Sequence, residues 1–357
     1  MSWKPEVSVE EASALLAKVY GLVGESVTAL PGYDDANFCV RTADGGKYTL
    51  KFSHFGESEG FLDMQNQSME WLVNKGLCAP AAIPSVSGAL IPQVTLKKPG
   101  GGEEQTFVRL LKFIEGSTLM HAAPSPQLYH SVGAFAAKMD QAWTGFSHPF
   151  VRTDYAWDIK NLMGMKPYVS SLTRAETPAP QIKLVEAVFD QFEKEVLPLL
   201  DSIPSGVIHC DGNALNIIVD EERNEVKAFI DFGDVSHTNL VNELAILMAY
   251  AMIDKIRKEE KAEGGPGAEK DTRILEVGKN VLQGYGQVSP LSDTELRLLP
   301  CLVKARLVTS VLFSAHTLLQ RPEDKDYLTV DARPGWILLQ LLSSRSDAEL
   351  LATLRPC

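Results

Sequence analysis

The sequence is poor in the features that mark several common protein classes. It has five cysteines, Cys39, Cys78, Cys210, Cys301 and Cys357, an odd number spread far apart. No two have the spacing of a zinc site or a redox pair, so a reducing compartment is expected and a disulfide framework is not. Long apolar runs are missing: the longest, 244–253, falls well short of the ~20 residues a membrane helix needs. The opening Met1-Ser2-Trp3-Lys4-Pro5-Glu6 has no apolar signal core, and a cytoplasmic location is the expectation. Positive charge is also scarce, with 34 Lys and Arg against 46 Asp and Glu, a net charge of −12. That balance speaks against nucleic acid or an anionic membrane as partner and is compatible with a small cationic substrate. Glycine-rich phosphate loops are absent too. The 31–37 loop has one glycine, and Gly100-Gly101-Gly102 lacks a following helix and a Gly-Lys-Ser end, so it reads as a surface turn. The seven histidines are scattered, which argues against a two-metal hydrolase.

What is present describes a folded globular chain. Hydrophobic residues make up 45% and charged residues 22%, and 357 residues lead us to expect about two lobes. Ser8 and Glu11 form a capping box, and Ala12, Leu15, Leu16 and Val19 share one helical face that Gly21 ends. Strands are predicted over 27–30, 38–42, 47–52, 89–96 and 105–113, with a helix over 57–75. Beyond 114 the pattern turns helical: 125–141, 181–200, 240–258, 271–285, 292–319 and 327–344, with Gly264-Gly265-Pro266-Gly267 as a loop. The reading is therefore an α+β protein with a mainly antiparallel first lobe, 1–113, and a helical second lobe, 114–357. A cleft between two such lobes is the expected ligand site.

The chemistry concentrates in Val207 to Asp234. Ile217-Ile218-Val219 and Val226 to Ile230 read as a hairpin around a polar turn. Asp211 precedes it, Asn216 opens its first strand and Asp231 ends its second. Phosphoryl transfer needs an Asp to accept a hydroxyl proton, an Asn five residues later on Mg²⁺, and an Asp of Asp-Phe-Gly on Mg²⁺. Asp211, Asn216 and Asp231-Phe232-Gly233 match in type, order and spacing. An oxygen-only set of this kind suits a hard cation that keeps waters and binds a substrate's phosphates. Lys51, between Leu50 and Phe52 at the end of the third strand, is the expected phosphate contact. Only eleven residues separate Asp231 from Glu243, too few for a segment that docks a peptide, so the acceptor is expected to be a small molecule. Cys210 stands where protein kinases carry Arg. Its reading as a nucleophile lacks a base beyond His209.

His209-x-Asp211-x-x-x-x-Asn216 followed by Ile230-Asp231-Phe232-Gly233-Asp234 resembles the aminoglycoside phosphotransferase (choline-kinase-like) family. Leu30-Pro31-x-Tyr33-Asp34-Asp35-x-Asn37-Phe38, Val108-Arg109-Leu110-Leu111, and Asp326-Tyr327-Leu328 leading to Gly335-Trp336 are most similar to its hydroxylysine-phosphorylating branch. The resemblance implies a bilobal protein-kinase-like fold and transfer of the γ-phosphoryl of GTP or ATP to a hydroxylated amine. It implies Asp211 as base, with His209 holding the catalytic loop by hydrogen bonds. Asn216 and Asp231 would bind Mg²⁺, Lys51 the phosphates, and the linker Leu111, Phe113 and Ile114 the nucleotide base. Glu243 would brace the loop. The expected helix partner of Lys51 falls on Gln65, with Asp63 and Glu70 near it, so a hydrogen bond would replace the family's ion pair. Asp234, Trp157 and Asp158 are the expected contacts for the cationic acceptor; their bland alternatives are helix cap, core and solvated surface. The rival readings are a kinase of another amino alcohol or amino acid and a nucleotide-binding pseudokinase.

Overall fold

The computed structural model describes residues 4–32, 34–98, 100–261, 268–322 and 330–355. Tyr33, the 264–267 loop and the 326–328 motif lie outside the described residues. The chain divides into two compact units. One runs to Glu115 and includes Ser147–Val151; the other comprises Gly116–Phe146 and everything from Arg152. The return of Ser147–Val151 to the first unit departs from the expected boundary. It has local causes: His148 Nε2 lies 3.3 Å from Asp63 Oδ2, and the Phe150 ring fills the space beside Gly60.

In the first unit, α1 (Val9–Tyr20) begins with both halves of the Ser8–Glu11 capping box, at 3.1 and 3.0 Å. Gly21 ends it at φ 66°, a conformation open to glycine without a Cβ penalty. There follow β1 (Gly24–Leu30), β2 (Ala36–Thr42), β3 (Lys47–Phe52), α2 (Glu59–Asn74), β4 (Ala82–Ile83), β5 (Gln93–Lys97) and β6 (Glu103–Lys112). All pairings are antiparallel, in the order β1-β2-β3-β6-β4, with β5 also on β6. The two-residue β4 is too short to carry a period and was not expected. β5 starts later than the expected 89, just after Pro92, which has no N–H for the ladder. One sheet face buries Phe38, Val40, Leu50, Phe52, Val108 and Leu110 with Ala12, Leu16 and Tyr20 of α1. The period of two puts Asn37, Lys51 and Arg109 on the opposite face, in register across β2, β3 and β6.

The second unit begins with β7 (Ser117–Thr118) and α3 (Pro126–Ala142). A 3-10 stretch, Ile159–Tyr168, and α4 (Val169–Arg174) lie where no element was expected. The expected 181–200 helix is α5 (Ala179–Gln191), which loosens into a π turn, Phe192–Val196, and a 3-10 turn, Leu197–Ser202, around Pro198. Then come β8 (Ser205–Ile208), β9 (Ile217–Asp220), β10 (Glu225–Phe229), β11 (Ser236–Asn239), α6 (Val241–Lys261), α7 (Ala268–Val288) and α8 (Asp293–Gln320). The last expected helix is described over Ala332–Ser343, and Asp347–Leu354 is a further one with its own capping box. By length and composition α8 could cross a membrane, yet 78% of its most apolar window is buried inside the unit, as in a core helix. α3 and α7 approach closely because Gly133 faces the Val281 carbonyl and Gly284 the His130 carbonyl.

Candidate active site

The loop between β8 and β9 is built on His209, which is 1% exposed. Its Nε2 lies 3.1 Å from the Ile230 carbonyl. A carbonyl only accepts, so Nε2 carries the proton and Nδ1 is left to accept from the Asp211 N–H at 3.4 Å. Burial lowers the imidazole to about 4, so it is neutral at pH 7. Phe229 and Phe232 meet the ring edge-on at 5.4 and 5.1 Å. Held this way, His209 positions the loop; it is not free to shuttle protons.

Cys210 has φ 66°, a left-handed backbone for a non-glycine residue. Its N–H donates to Glu243 Oε2 at 2.9 Å, so α6 braces the turn. The thiol is buried and held well above its usual range, chiefly by burial and then by the Glu243 charge, so it is no nucleophile. Gly212 is required by packing, since a Cβ there would overlap Leu247 of α6. Burial also pushes Glu243 up to about 7.

Asp211 is partly exposed, with both carboxylate oxygens held by Asn213 Nδ2, at 2.9 and 3.0 Å. Asn216 Nδ2 donates to Oδ2 at 2.6 Å and to the Asp211 carbonyl at 3.1 Å. Burial raises the carboxyl well above its usual range, and the Asp234 charge adds to that; Arg306 and Asn213 pull it back. With its amide hydrogens on Asp211, Asn216 keeps Oδ1 for a cation. The Ile230 N–H donates to the Asn216 carbonyl at 2.8 Å and fixes the end of the hairpin. The next residue, Asp231, turns left-handed at φ 64°, ψ 81°, carrying the backbone away from β10 into Phe232–Asp234. One carboxylate and one amide oxygen fit a Mg²⁺ that completes its shell with water and phosphate. Among the described residues no group of three or more His, Cys, Asp or Glu is arranged to hold a metal.

The expected acceptor contacts divide. Asp158 is 2% exposed and accepts from Thr238 Oγ1 at 2.8 Å and the Lys160 N–H at 3.1 Å. It caps the 3-10 stretch and is buried, not solvated surface. Asp234 stands before β11, not a helix, so it is no helix cap. It accepts from Tyr155 Oη at 2.6 Å and faces Arg152 at 3.5 Å, with a quarter of its side chain still exposed. Trp157 is half-buried, 4.5 Å from the Phe313 ring.

A residue that sequence reasoning passed over is Arg306 of α8. It is 2% exposed, donates to the Trp157 carbonyl at 2.9 Å and Tyr250 Oη at 3.3 Å, and reaches within 3.9 Å of Asp211 Oδ1. Its signal was an arginine two residues after Lys304 in the mainly apolar stretch 298–313, which reads as a solvated face until the helix is seen to be buried there.

In the first unit, Lys51 Nζ pairs with Asp35 Oδ2 at 3.1 Å. Gln65 does not take it: its Oε1 accepts from Arg109 Nη2 at 2.8 Å, while Asn66 Oδ1 accepts from Nη1 at 3.1 Å. Asp63 pairs with Gln67 at 2.8 Å and His148, and Glu70 is exposed. Arg109 thus stands between Lys51 and the helix. Leu111 and Ile114 are buried, and Phe113 lies under the Lys47 ammonium, 3.9 Å from its centroid.

Residues 26–270 match the phosphotransferase enzyme family. A hydroxylysine kinase of Mus musculus is 30% identical over 96% of this chain and 90% of that protein. One of Danio rerio is 29% identical over 93% and 90%. A microcompartment-associated aminopropanol kinase shares the fold at TM-score 0.70 and 16% identity, covering 94% of this chain and 98% of that one.

Proposed function

Because the chain belongs to the phosphotransferase enzyme family, it is a small-molecule kinase acting on an alcohol, and we propose that its acceptor is 5-hydroxy-L-lysine, with GTP or ATP as donor and Mg²⁺ as counter-ion. The observation that carries the acceptor is the match to hydroxylysine kinases over nine-tenths of both chains.

Asp211 takes the proton of the acceptor hydroxyl as its oxygen bonds to the γ-phosphorus; the bond to the β–γ bridging oxygen breaks and the nucleoside diphosphate leaves. The clamp of Asn213 and Asn216 supports this role, because it fixes the base's direction before the acceptor arrives. Asn216 Oδ1 and Asp231 would hold a Mg²⁺, which would offset charge on the phosphate oxygens. Lys51 contacts the phosphates, and Leu111, Phe113 and Ile114 the nucleotide base. Asp234, its carboxylate oriented by Tyr155 and partly exposed, receives an acceptor ammonium, and Trp157 lies beside it as an apolar contact. We place the enzyme in the cytoplasm; support comes from Cys39, Cys78, Cys210 and Cys301 all being free thiols.

The test is a phosphate-transfer screen over hydroxylysine, choline, ethanolamine, homoserine and an aminoglycoside, each with GTP and with ATP. Hydroxylysine should lead in kcat/KM by at least about tenfold. A different acceptor in first place would overturn the substrate and leave the kinase chemistry standing.

A further inference from the structure

We propose that Asp35, from the loop between β1 and β2, is the positioning residue for the Lys51 ammonium, the place that a helix acid fills in protein kinases. The inference rests on reading Lys51 as the phosphate contact.

The Asp35 carboxylate is fixed from two sides. Oδ2 lies 3.1 Å from Lys51 Nζ, and Oδ1 accepts from the His54 N–H at 2.9 Å. Both side chains are largely screened from water, at 12% exposure for Lys51 and 17% for Asp35, which strengthens the pair relative to a surface one. His54 itself leans on Glu57, its Nε2 3.3 Å from Oε2, so the strand end that presents the N–H is also anchored.

The acids of the helix are placed elsewhere: Asp63 pairs with Gln67 and His148, and Glu70 is exposed. The helix's inward polar positions, Gln65 and Asn66, are spent on the buried guanidinium of Arg109, the cross-strand neighbour of Lys51. A carboxylate at 65 would meet Arg109 first. The neutral residue there and the acid at 35 therefore belong together: the lysine's anchor has moved from the helix to the loop. One consequence is that changes in this loop act on the nucleotide through Lys51.

The test uses the full chain and steady-state kinetics with nucleotide and acceptor each varied. Asp35→Asn should lower kcat/KM for nucleotide about tenfold or more while acceptor KM stays within about twofold. In a Lys51→Met background the same change should cost less than about twofold, because its partner is already gone. Asp35→Glu should recover part of the loss, and Gln65→Glu should not rescue Asp35→Ala. If Lys51→Met is severe and Asp35→Asn is silent, the inference falls and the reading of Lys51 stands. If the two losses simply add, Asp35 supports the fold and not the lysine, and the inference falls. Lys51→Met without effect would overturn the phosphate reading and the inference together.

Discussion

Asn216 grips Asp211 at two points, donating from one nitrogen to the Oδ2 oxygen at 2.6 Å and to the backbone carbonyl at 3.1 Å. In the function proposed above, the residue that offers an oxygen to the cation also aims the base. Asn216→Ala should remove both effects and lower kcat by ~10²-fold or more. Asn216→Asp should be no milder, because it sets a second carboxylate against the first. A measured kcat within about twofold of wild type for either variant would break this link.

Asp211→Asn is close in shape, removes the proton acceptor and turns one of the oxygens clamped by Asn213 and Asn216 into a donor. Turnover should fall by ~10²–10⁴-fold with nucleotide affinity little changed. Single-turnover kinetics beside a nucleotide titration would check it. Wild-type-like turnover would reject Asp211 as the base.

Arg306 places a positive charge 3.9 Å from Asp211 Oδ1 from within α8. Arg306→Met should lower both kcat and thermal stability, since Asp211 and Asp234 lose a buried counter-charge and two donors leave the Trp157 and Tyr250 oxygens. Arg306→Lys should recover only part, because an ammonium cannot span both partners as the fork does. Full recovery in the lysine variant would show that charge alone matters.

Glu243 carries a pH signature. Its carboxyl, raised from 4.5 to about 7 by burial, holds a proton more tightly in the native state than in the unfolded chain. The stability from that proton is fully present below the unfolded value and declines as pH rises toward about 7, by on the order of 1 kcal/mol per pH unit. Glu243→Gln keeps an acceptor for the Cys210 N–H and should flatten this slope in urea titrations. An unchanged slope would assign it to another buried acid, with Asp140 first in line.

Gly284→Ala tests the closest helix contact. A Cβ there would overlap the His130 carbonyl, so α3 and α7 must separate, at a cost of ~1–3 kcal/mol or more. Gly286→Ala, two residues on and with open space beside it, should be neutral or gain up to ~1 kcal/mol. Equal melting temperatures for the two variants would contradict the packing described.

The sequence makes the helical unit's hairpin and its Asp, Asn and Asp-Phe-Gly legible because spacing and residue type restrict each other over a short span. The alternation around Lys51 likewise reveals a strand with one buried face. Partners contributed over long sequence distances stay hidden. Nothing near Lys51 in the helix suggests that Asp35 takes it, since that depends on Arg109 claiming Gln65 across the sheet. Arg306 lies 95 residues from Asp211 (306 − 211) inside a helix whose burial has no amphipathic signature. Asp158 misleads for the opposite reason: an acid before Ile159-Lys160 looks solvated, and only the packing of Thr238 and Asn242 over it shows a buried cap. The 3-10 and π turns around 159–168 and 192–202 escape because they follow neither the 3.6 nor the 2.0 period.

The sealed thiol of Cys210 bears on chemical probing. Although it adjoins the base in sequence, an electrophilic warhead would find neither access nor thiolate there. Alkylating reagents would mark the exposed Cys78 in the first unit instead.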